Sequence, residues 1–214
     1  QVHCARQAPG AEVLLRWKHP VHGNVPPAQF IPIAEASDLI HSIGAWVLHK
    51  ACTQLKAWDA QPLARHLELA VNVSAQQFRH PDFVSQVCDA LARTRANPRL
   101  LVLELTESLV LHDIADTVRK MQALCRHGVR FALDDFGTGY SSLSHLKQLP
   151  LHHLKVDGCF VRDIVTDPSD AAIVQTIIGM SRNLGLCVIA EGVEIEAQRH
   201  VLQGLQCPVF QGYL

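Results

Sequence analysis

The chain has 214 residues, of which 48% are hydrophobic and 18% are charged, a composition typical of a soluble globular domain. Its formal net charge of −1 excludes a protein that coats polymeric nucleic acid or an anionic membrane by bulk electrostatics. We therefore expect one domain over residues 1–214, in which any anionic partner is bound by a few local groups.

Short apolar runs alternate with longer amphipathic stretches, a pattern typical of repeated β-α units around a parallel sheet. The predicted strands are, in chain order, Val13–Trp17, Leu67–Asn72, Leu100–Leu105, Arg130–Asp134, His153–Val156, Leu186–Ala190 and Val209–Tyr213. The predicted helices are Glu35–Trp58, Pro81–Arg95, Asp113–His127, Ser141–Gln148, Ser169–Leu184 and Glu196–Gln203. Because no Gly-x-Gly-x-x-Gly turn follows the first strand, the pattern favours a (β/α) barrel over an open doubly wound sheet.

Polar groups stand where the predicted strands end, which is where barrel enzymes place their chemistry. From the second strand to the seventh, these groups are Asn72, Glu104 with Glu107, Asp134-Asp135, Lys155 with Asp157, Glu191 with Glu194, and Gln211. Any one of them is more often a solvated loop residue or a helix cap, but six consecutive strands with such an ending favour a shared site.

The first strand is the exception, because Glu12 precedes its apolar run. Residues two apart share a face of a strand, so Glu12, Leu14 and Arg16 point the same way. For Glu12 to join the other acids, we expect the first strand to run antiparallel to the rest.

With Glu12 included, eight of the chain's 20 acids would crowd one end of the barrel. Like charges placed so close together either take up protons or hold cations. Because the set contains oxygen ligands and neither His nor Cys, Mg²⁺ or Mn²⁺ is favoured over zinc. Two such ions would suit phosphodiester hydrolysis.

Seven motifs resemble, in order, those of the EAL domain family. They are Glu12-Val13-Leu14-Leu15-Arg16-Trp17, Val71-Asn72-Val73-Ser74, Glu104-Leu105-Thr106-Glu107, the run from Asp134 to Ser142, Lys155-Val156-Asp157, Glu191-Gly192-Val193-Glu194 and Gln211-Gly212-Tyr213. The resemblance implies a (β/α)8 TIM-like barrel with an antiparallel first strand, and hydrolysis of cyclic di-GMP to linear pGpG.

The resemblance also implies roles for individual residues. One metal would be bound by Glu12, Asn72, Glu104 and Asp134, and a second by Asp134 with Asp135. Lys155 would hold the attacking water, Glu191 would be the general base or a water-mediated ligand, and Glu107 would anchor the loop from Asp135 to Ser142. The substrate pocket would comprise Leu14, Arg16, Asp157, Glu194 and Gln211.

Partners follow from the same resemblance. The loop after Asp135 is expected to form a homodimer interface, and the chain, apparently trimmed at both ends, is expected to belong to a longer protein with sensory or diguanylate cyclase domains. Two departures from the family pattern are Val13, in place of the signature alanine, and Pro208, which is expected to reshape the loop before Gln211.

Cysteine usage and the absence of targeting segments indicate a location. The seven cysteines include no Cys-x-x-Cys pair, which favours small buried residues in a reducing compartment. Residues 1–10 lack the apolar run of a signal peptide. We expect a cytoplasmic domain, with any membrane anchor of the parent protein outside this chain.

Three alternatives stay open beside the enzyme. A receptor module would bind cyclic di-GMP without cleaving it, an interaction scaffold would use only the barrel, and a related metalloenzyme would cleave another phosphodiester. Degenerate receptor modules typically lose a metal ligand, the lysine or the late glutamate, and this sequence retains all of them.

Overall fold

The computed structural model describes residues 10–137 and 143–214. Contacts between residues divide the described chain into two compact units. The first unit comprises residues 10–104 and 122–130, and the second comprises residues 105–121 and 131–214.

The first unit contains a parallel sheet, a hairpin and several helices. Its elements are β1 (Gly10–Val13), β2 (Trp17–His19), β3 (Gly23–Val25), α1 (Pro27–Ala36), α2 (Leu39–Trp58), β4 (Glu68–Asn72), α3 (Ala75–Arg79), α4 (Phe83–Thr94), a 3-10 turn (Pro98–Leu100) and most of β5 (Leu101–Thr106). Strands β1 and β5 both pair with β4 in parallel, whereas β2 and β3 form an antiparallel hairpin.

Helix α2 supplies much of the first unit's core because its apolar residues recur at helical spacing. Ile40, Leu48, Cys52 and Leu55 are all buried, and the helix packs against α4 and β4. Such a stripe along one face is what an amphipathic helix buries against its neighbours.

The second unit is a parallel sheet with helices between its strands. Its elements are α5 (Glu107–His112), most of α6 (Ile114–Arg126), most of β6 (Arg130–Phe136), α7 (Leu143–Leu146), β7 (His153–Val156), α8 (Gly158–Arg162), α9 (Pro168–Asn183), β8 (Cys187–Ala190), α10 (Glu196–Gly204) and β9 (Val209–Phe210). Strand β7 pairs in parallel with β6 and β8, and β8 pairs in parallel with β9. The last residues of β7 and β8, Val156 and Ala190, are paired, so the segments that follow these strands begin side by side at the same edge of the sheet.

The expected antiparallel direction of the first strand is wrong for the strand that carries Glu12. Strand β1 is parallel to β4, with Glu12 opposite Ala70. It begins at Gly10 rather than at Val13, so Glu12 is its third residue of four and already lies near its carboxyl end. A parallel strand therefore brings Glu12 to the same edge as Asn72 without any reversal.

Two other regions differ from the prediction. The predicted helix Glu35–Trp58 is divided into α1 and α2, because Asp38 adopts a left-handed conformation with φ of 58° between them. The predicted start of α7 at Ser141 lies outside the described residues. Hairpin β2–β3 and the short helices α3, α5 and α8 were not predicted, since each has only three to six residues.

The cysteines are less uniformly buried than the sequence predicted. Cys52 and Cys207 are buried, but Cys159 and Cys187 are exposed, and all four are free thiols. Burial raises the pKa of Cys52 and of Cys207 to about 11 in each case, so both are protonated at neutral pH. Among the helices of the described ranges, none is both long and apolar enough to cross a bilayer.

Candidate active site

In the first unit, two predicted metal ligands lie side by side at the carboxyl edge of the sheet. The Nδ2 atom of Asn72 donates a hydrogen bond of 2.6 Å to Oε1 of Glu12. Glu104 stands opposite Asn72 in the β4–β5 register and is only 3% exposed. Two carboxylates and an amide oxygen at this edge form a set of hard oxygen ligands of the kind that Mg²⁺ and Mn²⁺ accept.

Two predicted substrate residues follow directly after β1. The side chain of Leu14 is 54% exposed, and Arg16 is also exposed. The Nη1 atom of Arg16 donates to the backbone oxygen of Leu15 at 3.0 Å. Because a guanidinium has five N–H donors, Arg16 retains the capacity to bind an anionic group.

In the second unit, strand β6 is irregular at Asp134 and Asp135, and this irregularity brings their carboxylates close together. The β6–β7 register shifts between Leu133 and Phe136, and Asp135 has a φ of 54°. Adjacent side chains on a regular strand point to opposite faces, which a bulge can change. Here Asp134, Asp135 and Glu191 each offer a carboxylate oxygen, and the three oxygens lie within 4.8 Å of one another.

A buried lysine joins this cluster from β7. The side chain of Lys155 is 2% exposed, and its Nζ lies 2.8 Å from Oε1 of Glu191 and 3.2 Å from Oδ1 of Asp134. A buried ammonium group is tolerated only when it is paired, so these carboxylates stabilise it. The arrangement fixes one proton donor between two predicted functional acids.

The side chain of Glu191 is also held by Gln211, in the segment that follows β9. The Nε2 atom of Gln211 donates to Oε1 of Glu191 at 2.5 Å. The backbone N–H of Gln211 donates to the oxygen of Ala190, and its own carbonyl accepts from Val193. The segment after β9 therefore continues alongside the residues after β8.

Two of the acids in this unit have shifted pKa values in opposite directions. Burial, with the neighbouring charges of Asp134 and Asp157, raises the pKa of Asp135 above its usual value, although Lys155 partly opposes this. Burial alone would also raise the pKa of Asp157, but hydrogen bonds from Cys159 outweigh it and lower that pKa. Crowded carboxylates of this kind favour the binding of a cation.

Glu107 lies at the start of α5 and is 4% exposed. Its Oε2 accepts a hydrogen bond of 3.4 Å from the backbone N–H of Gly137, which has a φ of 104°. Glu107 is thus bonded to the backbone of the first part of this loop, and its role as an anchor stays a prediction. Residues 138–142, which complete the predicted dimer loop, lie outside the described residues.

Asp157 and Glu194 have local roles that the sequence did not predict. The Oδ1 atom of Asp157 caps α8 by accepting from Cys159 N at 2.6 Å. Glu194 is exposed, and its backbone N–H donates to the side chain of Gln198. Sequence reasoning overlooked Gln198, although a glutamine at the third position of a helix is a known signal of N-terminal capping.

The acidic residues fit a divalent metal by their chemistry. The cluster of Asp134, Asp135 and Glu191 consists of oxygen donors at a spacing that could hold an ion. Oxygen ligands are those of Mg²⁺, Mn²⁺ and Ca²⁺, whereas zinc more often takes His or Cys. The second unit by itself therefore contains three carboxylates that could coordinate a divalent ion.

Comparison with known proteins identifies the family. The family model described as "EAL domain" matches residues 1–214. The bifunctional diguanylate cyclase/cyclic di-GMP phosphodiesterase MucR of Pseudomonas aeruginosa is 46% identical over 205 residues, which is 96% of this chain and 30% of MucR. The oxygen sensor protein DosP of Escherichia coli is 40% identical, over 95% of this chain and 25% of DosP. The chain thus spans less than a third of either relative.

Comparison with solved structures gives the same family. The structure described as PaMucR phosphodiesterase in complex with c-di-GMP has a TM-score of 0.92 and 45% identity, and the match covers 97% of this chain and 86% of that one. The cAMP and cyclic-di-GMP bound form of the EAL enzyme Bd1971 also has a TM-score of 0.92, with 33% identity over 99% of this chain and 58% of that one. Their TIM-barrel-like fold confirms the predicted fold class apart from the direction of the first strand, and the chain belongs to the EAL domain family.

Proposed function

We propose that residues 1–214 form a single EAL phosphodiesterase domain that hydrolyses cyclic di-GMP to linear 5'-pGpG with two bound Mg²⁺ or Mn²⁺ ions. One water is consumed, one phosphorus–oxygen bond of the ring is broken, and the product keeps the phosphate at its 5' end. The names of the relatives support the substrate, since MucR is called a cyclic di-GMP phosphodiesterase and its structure contains c-di-GMP.

The observation that carries this proposal is the placement of Lys155 between Asp134 and Glu191. A receptor needs groups that bind an anion, but it has no need for a buried ammonium group paired with a carboxylate that can accept a proton. The distances of 2.8 and 3.2 Å from Nζ to these acids place all three groups around one point. A water at that point could be both oriented and deprotonated.

Each group then has a distinct task in the reaction. Lys155 donates hydrogen bonds to the attacking water and orients its lone pair toward phosphorus. Glu191 accepts the proton of that water, while Gln211 Nε2 donates to Glu191 and restrains its carboxylate. Bound divalent ions would make the water acidic enough to attack at neutral pH and would stabilise negative charge on the leaving oxygen.

The family motifs supply the remaining assignments. In the first unit Glu12, Asn72 and Glu104 are proposed as ligands of one ion; in the second unit Asp134 is proposed as a ligand of both ions and Asp135 of the other. For the substrate, Arg16 is proposed to bind a phosphate. The other proposed pocket residues are Leu14, Asp157, Glu194 and Gln211.

Partners beyond the substrate are part of the same proposal. The relatives MucR and DosP are several times longer than the matched region, which supports fusion to sensory or diguanylate cyclase domains. The loop after Asp135, whose first part is bonded to Glu107 through Gly137, is proposed as a homodimer interface.

Incubation of the domain with cyclic di-GMP and Mg²⁺ or Mn²⁺, followed by chromatographic separation of the nucleotides, tests the function. We expect pGpG to accumulate with either ion and little to form with Ca²⁺, whose larger radius suits a looser geometry. Exhaustive chelation should stop the reaction. Unchanged turnover after chelation would contradict metal dependence, and binding without any pGpG would favour a receptor.

A further inference from the structure

Gln198 makes three hydrogen bonds from a buried position on α10. Its side chain is 4% exposed. The Oε1 atom accepts from the backbone N–H of Glu194 at 2.8 Å and of Ile195 at 3.1 Å, and the Nε2 atom donates to the carbonyl oxygen of Arg162 at 3.1 Å. Both ends of the carboxamide are therefore engaged, which fixes its orientation.

The bonds to Glu194 and Ile195 compensate for a poor helix start. Ile195 is the N-cap of α10, and an isoleucine side chain has no oxygen with which to accept a hydrogen bond from the first turn. Gln198, at the third position of the helix, instead reaches back to the N-cap N–H. This is one half of the capping box motif.

The bond to Arg162 connects helix α10 to helix α8, which follow two neighbouring strands of the sheet. Arg162 ends α8, which begins directly after Asp157, while Gln198 lies just beyond the turn from Glu191 to Ile195. The segments after these strands also approach closely at their glycines, since a Cβ on Gly192 would lie 3.2 Å from Cα of Gly158. Gln198 thus ties the loop after β8 to the helix after β7.

The two halves of the turn after β8 are held by different groups. Glu191 N donates to Val156 O at 3.1 Å, and Val193 N donates to Gln211 O at 3.1 Å. The second half, Glu194 and Ile195, is bonded to Gln198. Loss of the Gln198 carboxamide would therefore release Glu194 while the bonds that hold Glu191 persist.

We infer that Gln198 is a positioning residue that fixes Glu194 for substrate binding, an inference that rests on the proposed function. Glu194 can serve the substrate pocket only if its backbone is held near the edge where Lys155 and Glu191 lie. Because Glu191 has separate supports, removal of the carboxamide should weaken substrate binding more than it slows the chemical step.

The test compares Gln198→Met, which keeps the side-chain length but removes hydrogen bonding, with Gln203→Met on an exposed position of the same helix. For Gln198→Met we expect KM for cyclic di-GMP to rise about tenfold, with kcat within about threefold of the unmodified domain. Amide hydrogen exchange at Glu194 and Ile195 should also become faster. Gln203→Met should change none of these quantities.

A second variant distinguishes loss of these hydrogen bonds from misfolding of the Gln198→Met protein. Gln198→Glu keeps an oxygen that can accept from Glu194 and Ile195 but loses the donor to Arg162, so its KM should lie between those of the unmodified domain and Gln198→Met. The inference is overturned if KM of Gln198→Met stays within twofold, if the loss is confined to kcat, or if amide exchange is unchanged. Should the unmodified domain yield no pGpG, the proposed function fails, and the Kd for cyclic di-GMP from calorimetry takes the place of KM in the same comparison.

Discussion

Gly212 and Val193 approach so closely that no other residue fits at position 212 without movement of the backbone. A Cβ on Gly212 would lie 2.5 Å from the backbone nitrogen of Val193 and would overlap its carbonyl oxygen. The N–H of Val193 donates to Gln211 O, so this contact places the side chain of Gln211 against Glu191. The glycine of the Gln-Gly-Tyr motif is therefore needed for a close approach of two segments.

Gly212→Ala should separate these segments and weaken the hydrogen bond from Gln211 to Glu191. We expect turnover of cyclic di-GMP to fall at least about tenfold, because a misplaced general base loses alignment with the water. Gly204→Ala is the matched control, since nothing lies within 4 Å of a Cβ there, and it should leave turnover unchanged. Equal rates of pGpG formation in both variants, measured by chromatography, would contradict this role.

Much of the second unit could be predicted from the sequence because its strands are short apolar runs that end in a polar group. Strands β7 and β8 match their predicted limits closely, and Lys155 and Glu191 lie where such endings suggested. The bulge at Asp135 could not be predicted, since a register shift depends on the partner strand β7 and not on local sequence.

Strands β1, β2 and β3 of the first unit were harder to predict, because their residues give only a weak strand pattern. Strand β1 starts with Gly10 and Ala11, residues of low strand propensity, so the apolar run appeared to begin only at Val13. That shift by three residues led to the wrong direction for the strand. The hairpin β2–β3 has strands of three residues each, too short for alternation to reveal.

Asp134→Asn should nearly abolish turnover. The carboxylate of Asp134 lies 3.2 Å from Lys155 Nζ and belongs to the cluster that could hold a metal, and a shared ligand serves both proposed ions. We expect a loss of roughly 100-fold or more in kcat, together with weaker binding of Mn²⁺ by calorimetry. A loss below about tenfold, or roughly 1.4 kcal/mol of barrier, would make the shared role untenable.

Glu107→Ala should loosen the loop that starts at Gly137. The Oε2 atom of Glu107 accepts from the Gly137 N–H at 3.4 Å, and its removal leaves that donor without this acceptor. We expect faster amide exchange at Gly137 and weaker binding of metal or substrate. Asp89→Ala, at an exposed position on α4 of the first unit, is a control for the loss of a charge. A crystal structure of Glu107→Ala in which the loop is unchanged would contradict the anchoring role.

The ion pair of Asp116 and Lys120 on α6 should make stability depend on pH. The hydrogen bond from the buried Lys120 amine, 3.0 Å away, lowers the pKa of Asp116 below its usual value. A carboxyl with a lowered folded-state pKa stabilises the fold above the unfolded-state pKa, and this contribution is lost as pH falls through the folded-state value. Asp116→Asn should therefore lower the free energy of unfolding by about 1–2 kcal/mol at pH 7.

Denaturant unfolding at several pH values tests this dependence. The difference between Asp116→Asn and the unmodified domain should be constant from about pH 5 to pH 7 and should shrink below about pH 4, where the carboxyl of the unfolded chain takes up a proton before that of the folded domain. Asp89→Asn, at an exposed position on α4, should show little difference at any of these pH values. A difference for Asp116→Asn that persists unchanged to pH 3 would show that its cause is not the ion pair.

The pair of Lys155 and Glu191 separates an enzyme from a receptor, because metal ligands alone help either protein to hold an anionic nucleotide. Glu191→Gln keeps the size of the side chain and removes the base, so we expect cyclic di-GMP binding to be retained while turnover falls roughly 10²- to 10⁴-fold.

Lys155→Met, which removes the cation between Glu191 and Asp134, should behave in the same way. Its melting temperature must be measured beside its activity, since the two carboxylates lose a buried partner. Calorimetry for binding and nucleotide separation for turnover compare both variants with the unmodified domain. If the unmodified domain binds cyclic di-GMP but forms no pGpG over hours with Mg²⁺ or Mn²⁺, the receptor hypothesis is correct, and the loop at Pro208, which precedes Gln211, becomes the first region to restore by mutation.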